Sequence, residues 1–493
     1  MTKHIHRLVK LPEEESPSTV ARVFEPRLPA TTQYLLLAFS ILIALVLRFY
    51  KLGVWSFWID ELWSITTALK LRAWRDDLFQ FHVLFYYIIK PVLTSLGVTE
   101  WSARLVPAVI GVVSIPILYI PTKKIFGPWV AIFAACLLAI APWHLFWSQN
   151  ARYYTLLLLL YSLTMLLLYR GLETDRLRYI IAAWIIWLLA LLTNLTAAFL
   201  LPTILVYVFL LKVLPFEKPR GLRLKNLFPF VLLPLVYVFY EVYRVVFLGE
   251  ELLISKLLAF FFVGQRLISL RVVAGVVYYV GVPLVCLALL GGVWLLLEKR
   301  RSGLFLMTGV LVPLLIAISL SMFVYVHDRY VFLTLPLWLI LGAVAVQGIV
   351  SRIGGHGRIL ALGVVLLLLA DPLAQNWLYF HYQNGNRWDW KGAFATVQQR
   401  KAEEDPVVTT WWELGKYYLD GEVISMNELD PVAVVERDQR MWFVDDGWVN
   451  PALSTWLQEN GELIDVRDVQ MPGKAFVVRV YLYDPEQPRA GMP

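Results

Sequence analysis

A chain of 493 residues that is 59% hydrophobic and only 16% charged is built for a solvent other than water, since soluble domains carry about a quarter charged residues. Apolar runs of about 17–25 residues, each long enough to cross a hydrocarbon core as a helix, recur from Thr32 to Trp377 and exclude a single soluble core. The formal charge of +7 does not indicate a nucleic-acid partner, because the excess is scattered over short connections, as expected of loops facing anionic membrane lipids.

The first thirty residues hold Lys3, Arg7, Lys10, Arg22 and Arg27 but no apolar segment, and the first run, Tyr34 to Tyr50, reads as an anchor rather than a cleavable signal. The predicted spans are 32–50, 103–121, 128–147, 152–169, 179–194, 196–214, 227–247, 271–297, 303–323, 330–350 and 359–378. Charge sets this count. Lys123-Lys124, Arg170 to Arg178, Lys218 to Lys225, Lys299-Arg300-Arg301 and Arg352 to Arg358 fall on one side, with the N-terminal segment 1–31, only if Val83 to Leu96 is not a crossing. That stretch is short, interrupted by Lys90-Pro91, and reads as a helix lying in the interface. About 11 crossings from a cytoplasmic N-terminus then place the first external loop, 51–102, and the segment 379–493 outside the cytoplasm.

Beyond the transmembrane module 32–378 the character changes: from Tyr379 onward 11 Lys and Arg face 19 Asp and Glu, so the basic excess belongs to the membrane part. Helical periodicity from Trp388 to Arg400 and from Ala452 to Glu459 alternates with strand-like Val407 to Trp411, Met441 to Val444, Leu463 to Val466 and Ala475 to Leu482. Another helical stretch closes on Tyr417-Tyr418. The fold class is therefore a polytopic α-helical membrane protein with a small C-terminal extracytoplasmic α/β domain, 379–493. Cys136 and Cys286 both lie within apolar runs, where a thiol behaves as a small hydrophobe, so neither a disulfide framework nor a metal cluster is implied.

Chemistry is expected on the external loops, where polar residues gather. Trp58-Ile59-Asp60-Glu61-Leu62-Trp63 places adjacent carboxylates just past the first span. Asp60 suits a helix N-cap and equally a general base taking a proton from an acceptor hydroxyl or amine, and the two roles are compatible. His82 opens an aromatic helix that includes Tyr86, where headgroup-level placement competes with substrate contact. Arg104 and Arg152, the latter beside Tyr153, stand at the outer mouths of two spans, where lipid snorkelling competes with lining a polar cavity. The last external loop carries His327-Asp328-Arg329-Tyr330; a guanidinium there suits a lipid phosphate, whereas a surface Asp328 and Arg329 pair contributes little.

In this order the features resemble the glycosyltransferase C superfamily, in the family 39-like branch that contains protein O-mannosyltransferases and lipid A aminoarabinose transferases. The resemblance rests on Asp60-Glu61, His82-Val83-Leu84-Phe85, Arg104-Leu105-Val106-Pro107, Lys123 to Gly127, Ala151 to Tyr154, and Arg329-Tyr330 with Pro336. It implies a membrane transferase that moves a sugar from a polyprenyl-phosphate donor to a protein, lipid or glycan acceptor on the extracytoplasmic face of a plasma membrane, with inversion. By the resemblance Asp60 is the catalytic base, Glu61 supports or positions it, and Arg329, Arg104 and Arg152 hold the donor phosphate. His82, Tyr86, Tyr153, His327 and Asp328 are expected to contact substrate. Two departures stand out. Val83-Leu84 replaces two prolines, and Asn150 to Thr155 lacks the carboxylate of metal-using relatives, so neither a cofactor nor a magnesium or manganese ion is expected. Two other classes fit the same topology: a lipid-linked sugar transporter or flippase, disfavoured by apolar mid-span positions, and a non-catalytic assembly subunit with an external binding domain.

Overall fold

The computed structural model describes residues 29–72, 82–249, 270–352 and 354–486. The basic segment before Pro29 and most of the external connection expected at 248–270 lie outside the described residues. Each predicted span coincides with a helix or a bent helix pair. In chain order these are α1 (Ala30–Phe49), then α2 (Ile59–Lys70) and α3 (Val83–Leu96) of the first external loop, then α4 (Glu100–Phe126), α5 (Pro128–Ile140), α6 (Pro142–Ser148), α7 (Tyr154–Thr174) and α8 (Leu177–Thr193). They continue with α9 (Leu200–Val213), α10 (Leu224–Leu248), α11 (Arg271–Val280), α12 (Val282–Leu297), α13 (Arg301–Leu320), α14 (Leu335–Arg352) and α15 (Gly354–His381). Among the described residues seven helical segments are long and apolar enough to cross a membrane, or up to nine when each bent pair counts as one.

Two spans expected to be continuous are broken. Between α5 and α6 the axis turns by 56°, because Pro142 has no N–H to continue the ladder. The carbonyls freed by that break are satisfied from neighbouring spans: Arg48 donates to Leu138 O at 3.0 Å and Ala139 O at 2.7 Å, and Asn376 donates to Ile140 O at 2.8 Å. A backbone break at membrane depth is tolerated only when its polar groups find such partners. Between α11 and α12 the turn is 97°, at Gly281, whose φ of +87° lies in the region that glycine adopts without strain.

The basic connections share one end of the bundle. There Arg170 donates to Lys124 O at 3.0 Å, Arg301 pairs with Glu173 at 2.7 Å, and Arg352 pairs with Glu298 at 2.9 Å. Asp60, Arg152 and Arg329 gather at the other end.

The C-terminal domain contains α16 (Trp390–Arg400), β1 (Val407–Thr409), α17 (Trp412–Tyr418), β2 (Val423–Ser425), α18 (Pro431–Glu436), β3 (Met441–Asp445), α19 (Pro451–Asn460), β4 (Glu462–Met471) and β5 (Lys474–Tyr483). Its sheet runs β2-β1-β3-β5-β4. β1 is parallel to β2 and β3, while β5 is antiparallel to β3 and β4. The short β2 and α18 carry too few residues for a periodic signal in the sequence. The domain sits on the first external loop. Ser56 donates to Trp388 O at 2.6 Å, the Tyr418 hydroxyl accepts from Phe57 N–H at 2.7 Å, and that hydroxyl donates to Glu100 at 3.0 Å.

Candidate active site

The acidic pair is split by helix geometry. Trp58, in an extended conformation, takes the N-cap position expected for Asp60, so both carboxylates fall in the first turn of α2, where the helix dipole favours negative charge. Neighbouring residues on a helix point about 100° apart. Glu61 consequently faces inward and Asp60 faces the mouth of the bundle.

Glu61 is fully buried. Arg104 holds it through paired hydrogen bonds, Nε to Oε1 and Nη2 to Oε2, both 2.8 Å, and the Ala151 N–H donates to Oε1 at 2.8 Å. Arg387, also buried, adds a contact at 3.4 Å. Burial pushes the Glu61 carboxyl up, but the opposing pull of Arg104 and then Arg387 wins, and it is held below its ordinary range. The remaining Arg104 donors go to the carbonyls of Leu52, Trp55 and Ser56 at 2.9–3.2 Å. The expectation for Arg104 is therefore corrected, since it has no donor left for a phosphate, whereas Glu61 takes a supporting place behind Asp60. Together they pin the first external loop to α4.

Asp60 remains at the surface of the site. Its Oδ2 receives Arg329 Nη1 at 2.9 Å and lies 3.7 Å from Arg152 Nη2. Arg152 is fixed from a second direction by Ser64 Oγ at 2.8 Å and Asp60 O at 3.0 Å. Two guanidinium groups thus face one carboxylate, leaving a net positive charge. Arg329 Nε and Arg152 Nε are both buried without a hydrogen-bond partner, so each has a donor open to an incoming acceptor.

Around this pair the aromatic residues close ranks. His82 stacks on Tyr153 at 3.7 Å between ring centroids, meets Tyr86 edge-on at 6.0 Å, and its Nδ1 lies 2.9 Å from Thr193 O. Burial, and next the field of Arg152, push its imidazole down to about 3, so His82 is neutral at physiological pH. Its φ of +64° shows a backbone shaped to turn the ring inward. The Arg152 guanidinium lies over the Tyr153 ring at 4.8 Å. His82 and Tyr153 form the wall behind the Arg152 and Asp60 pair, and the largely buried Tyr86 supports that wall.

His327 Nδ1 lies 3.1 Å from Asp328 Oδ1, which also accepts the Arg329 N–H at 2.8 Å. These three residues edge a cavity of ≈ 120 Å³ whose bundle side carries Trp58, Trp143, Trp147 and Tyr279. Its opposite wall comes from the C-terminal domain: Asn386, Arg387, Trp388, Lys474 and Phe476. Sequence reasoning missed Arg387. The available signal was the Asn384-Gly385-Asn386 run, and all three adopt positive φ, forming a left-handed turn that delivers Arg387 to Glu61. Gln149 and Asn150 lock the loops together. Gln149 Nε2 donates to the carbonyls of Leu47, Arg48 and Tyr50 at 2.8–3.2 Å, and Asn150 accepts Trp58 Nε1–H at 2.8 Å.

The family profile for dolichyl-phosphate-mannose-protein mannosyltransferase matches residues 81–240. Comparison with curated protein sequences finds no match. Among solved structures, ArnT from Cupriavidus metallidurans in the apo state is similar with a TM-score of 0.57 and 16% identity, over 94% of this chain and 100% of that one. ArnT from the same organism bound to undecaprenyl phosphate is similar with a TM-score of 0.53 and 16% identity, over 92% and 98%. The apo oligosaccharyltransferase of Archaeoglobus fulgidus is similar with a TM-score of 0.59 and 13% identity, over 88% of this chain and 73% of that one. At such identities the likeness is one of fold, and it extends over both the membrane module and the external domain. This multi-pass membrane protein therefore shares its fold with ArnT and with the archaeal oligosaccharyltransferase, and from α3 through the spans that follow it matches the mannosyltransferase profile.

Proposed function

We propose that the protein transfers a sugar from a polyprenyl-phosphate donor to an acceptor on the extracytoplasmic face, and that Asp60 is its catalytic base. The observation that carries this reading is the Asp60 carboxylate between Arg329 at 2.9 Å and Arg152 at 3.7 Å, with the Nε of each guanidinium buried and unpartnered. A phosphate oxygen is the natural acceptor for such donors. The acceptor hydroxyl or amine gives its proton to Asp60 as it attacks the anomeric carbon. The bond from that carbon to the phosphate oxygen breaks, its electron pair stays on the phosphate, and the configuration inverts. Arg329 and Arg152 stabilise the charge that grows on the leaving group.

The solved ArnT bound to undecaprenyl phosphate and the Archaeoglobus fulgidus oligosaccharyltransferase in complex with an inhibitory peptide and a dolichol-phosphate support the donor class. Basic connections at the end opposite Asp60 support an extracytoplasmic site. A groove of ≈ 640 Å³ lies between α2 and α17, with Leu62 and Trp63 in its wall on the helix that carries Asp60. A divalent ion does not fit beside Asp60, because the second external loop presents the Arg152 cation there. Turnover is therefore expected to be unchanged by chelation; activity abolished by chelator and restored by manganese or magnesium would overturn this.

The donor assignment is tested by mass spectrometry of lipid co-purified in mild detergent. Wild type is expected to hold a polyprenyl-phosphate sugar and Arg329→Ala to lose it, by on the order of tenfold or more, the worth of a charge-assisted hydrogen bond. Ordinary phospholipid in equal amounts in both proteins would remove Arg329 from the site.

A further inference from the structure

We infer that Lys474, carried by the C-terminal domain, is a further cation for the donor's phosphate, so that this domain completes the donor site. The inference rests on the function proposed above and adds a residue and a domain to it. Lys474 begins β5 immediately after Pro472-Gly473, and Gly473 has a φ of +75°, so the hairpin tip has a defined turn that aims the side chain. Side chains two apart on a strand share a face. Phe476 accordingly stands beside Lys474 in the cavity wall, its ring 4.6 Å from that of Trp388.

Lys474 faces Asp328 and Arg329 across this cavity. Among the described residues its ammonium makes no hydrogen bond and no ion pair within 4.0 Å, although its field reaches Asp328. Arg387 and Arg104 are committed to Glu61, while Arg329 and Arg152 share Asp60 and each keeps its Nε for the phosphate. Among the described residues of this cavity Lys474 adds an ammonium whose donors are all open to a ligand.

The reaction explains why a further cation is useful. The donor phosphodiester carries one negative charge, and cleavage of the bond to the anomeric carbon leaves a phosphomonoester approaching two at neutral pH. A group that binds the second charge more strongly than the first accelerates the step. Lys474 should therefore favour the released polyprenyl phosphate over the intact donor, and its loss should lower kcat while sparing the KM of the acceptor.

The test uses the full-length purified protein and undecaprenyl phosphate as the probe. Lys474 is exposed, so Lys474→Ala, Lys474→Glu and Lys474→Arg are expected to fold. Lys474→Ala should weaken binding by on the order of tenfold, Lys474→Glu should weaken it further, and Lys474→Arg should retain most of it. Equal affinity in wild type and Lys474→Glu, with Arg329→Ala weakened, overturns the role of Lys474 and leaves the proposed function standing. No binding by folded wild type overturns both.

Discussion

Asp60→Asn is expected to reduce turnover by about 10²–10⁴-fold, the contribution of a positioned general base, without loss of folded protein. Asp60 is part-exposed and makes its ion pairs at the edge of the site, so an isosteric amide leaves the packing intact. The same substitution removes the carboxylate that competes for Arg329, whose Nη1 it holds at 2.9 Å. Polyprenyl phosphate should bind Asp60→Asn at least as tightly as wild type. Loss of chemistry with retained or improved lipid affinity separates a base from a phosphate ligand. It also separates a transferase from a flippase or an assembly subunit, neither of which requires a proton acceptor at this position. Comparing single-turnover rate with lipid affinity in the two proteins decides the matter: unchanged turnover would remove Asp60 from the mechanism.

Glu61→Ala should have the opposite character. It leaves Arg104 and Arg387, both buried, without their shared carboxylate, and removing one partner of a buried ion pair costs about 3–5 kcal/mol. That is a large part of the margin of an ordinary fold. The Ala151 N–H also loses its acceptor, and with it the second external loop that carries Arg152. The expected result is a much lower yield of monodisperse protein and a depressed thermal midpoint. Glu61→Gln keeps some of the hydrogen bonds but not the charge, and should fall between. A Glu61→Gln protein with normal thermal midpoint and abolished turnover would contradict the supporting role assigned here and return Glu61 to the catalytic machinery.

These two neighbours show how much was legible beforehand. The acidic pair, the arginines at the outer mouths of the spans and the His-Asp-Arg triplet at 327–329 are all visible in the chain. Their sharing of one end follows from alternating charge bias alone. What the chain cannot express is the direction of each side chain. Asp60 and Glu61 are adjacent, identical in charge and both suitable as bases, and only the register of α2 turns one to the site and the other into the protein. The same holds for the cations. Arg104 and Arg329 each stand at the external end of a span, yet Arg104 is consumed by one carboxylate and three carbonyls while Arg329 keeps a buried donor unpartnered.

Composition, span length and loop charge by themselves determined that this is a multi-pass membrane protein with a small C-terminal α/β domain, because transfer of apolar surface out of water and the cost of burying charge act on each segment separately. The bends at Pro142 and Gly281, inside runs whose apolar length reads as one span each, came only with the structure. The tertiary structure alone decided which carboxylate is free, that Arg387 serves Glu61, and that the C-terminal domain closes the cavity beside Arg329 with Trp388, Lys474 and Phe476. Those outcomes depend on pairing between groups hundreds of residues apart, and electrostatic and hydrogen-bond energies at a few ångströms carry no local signature along the chain.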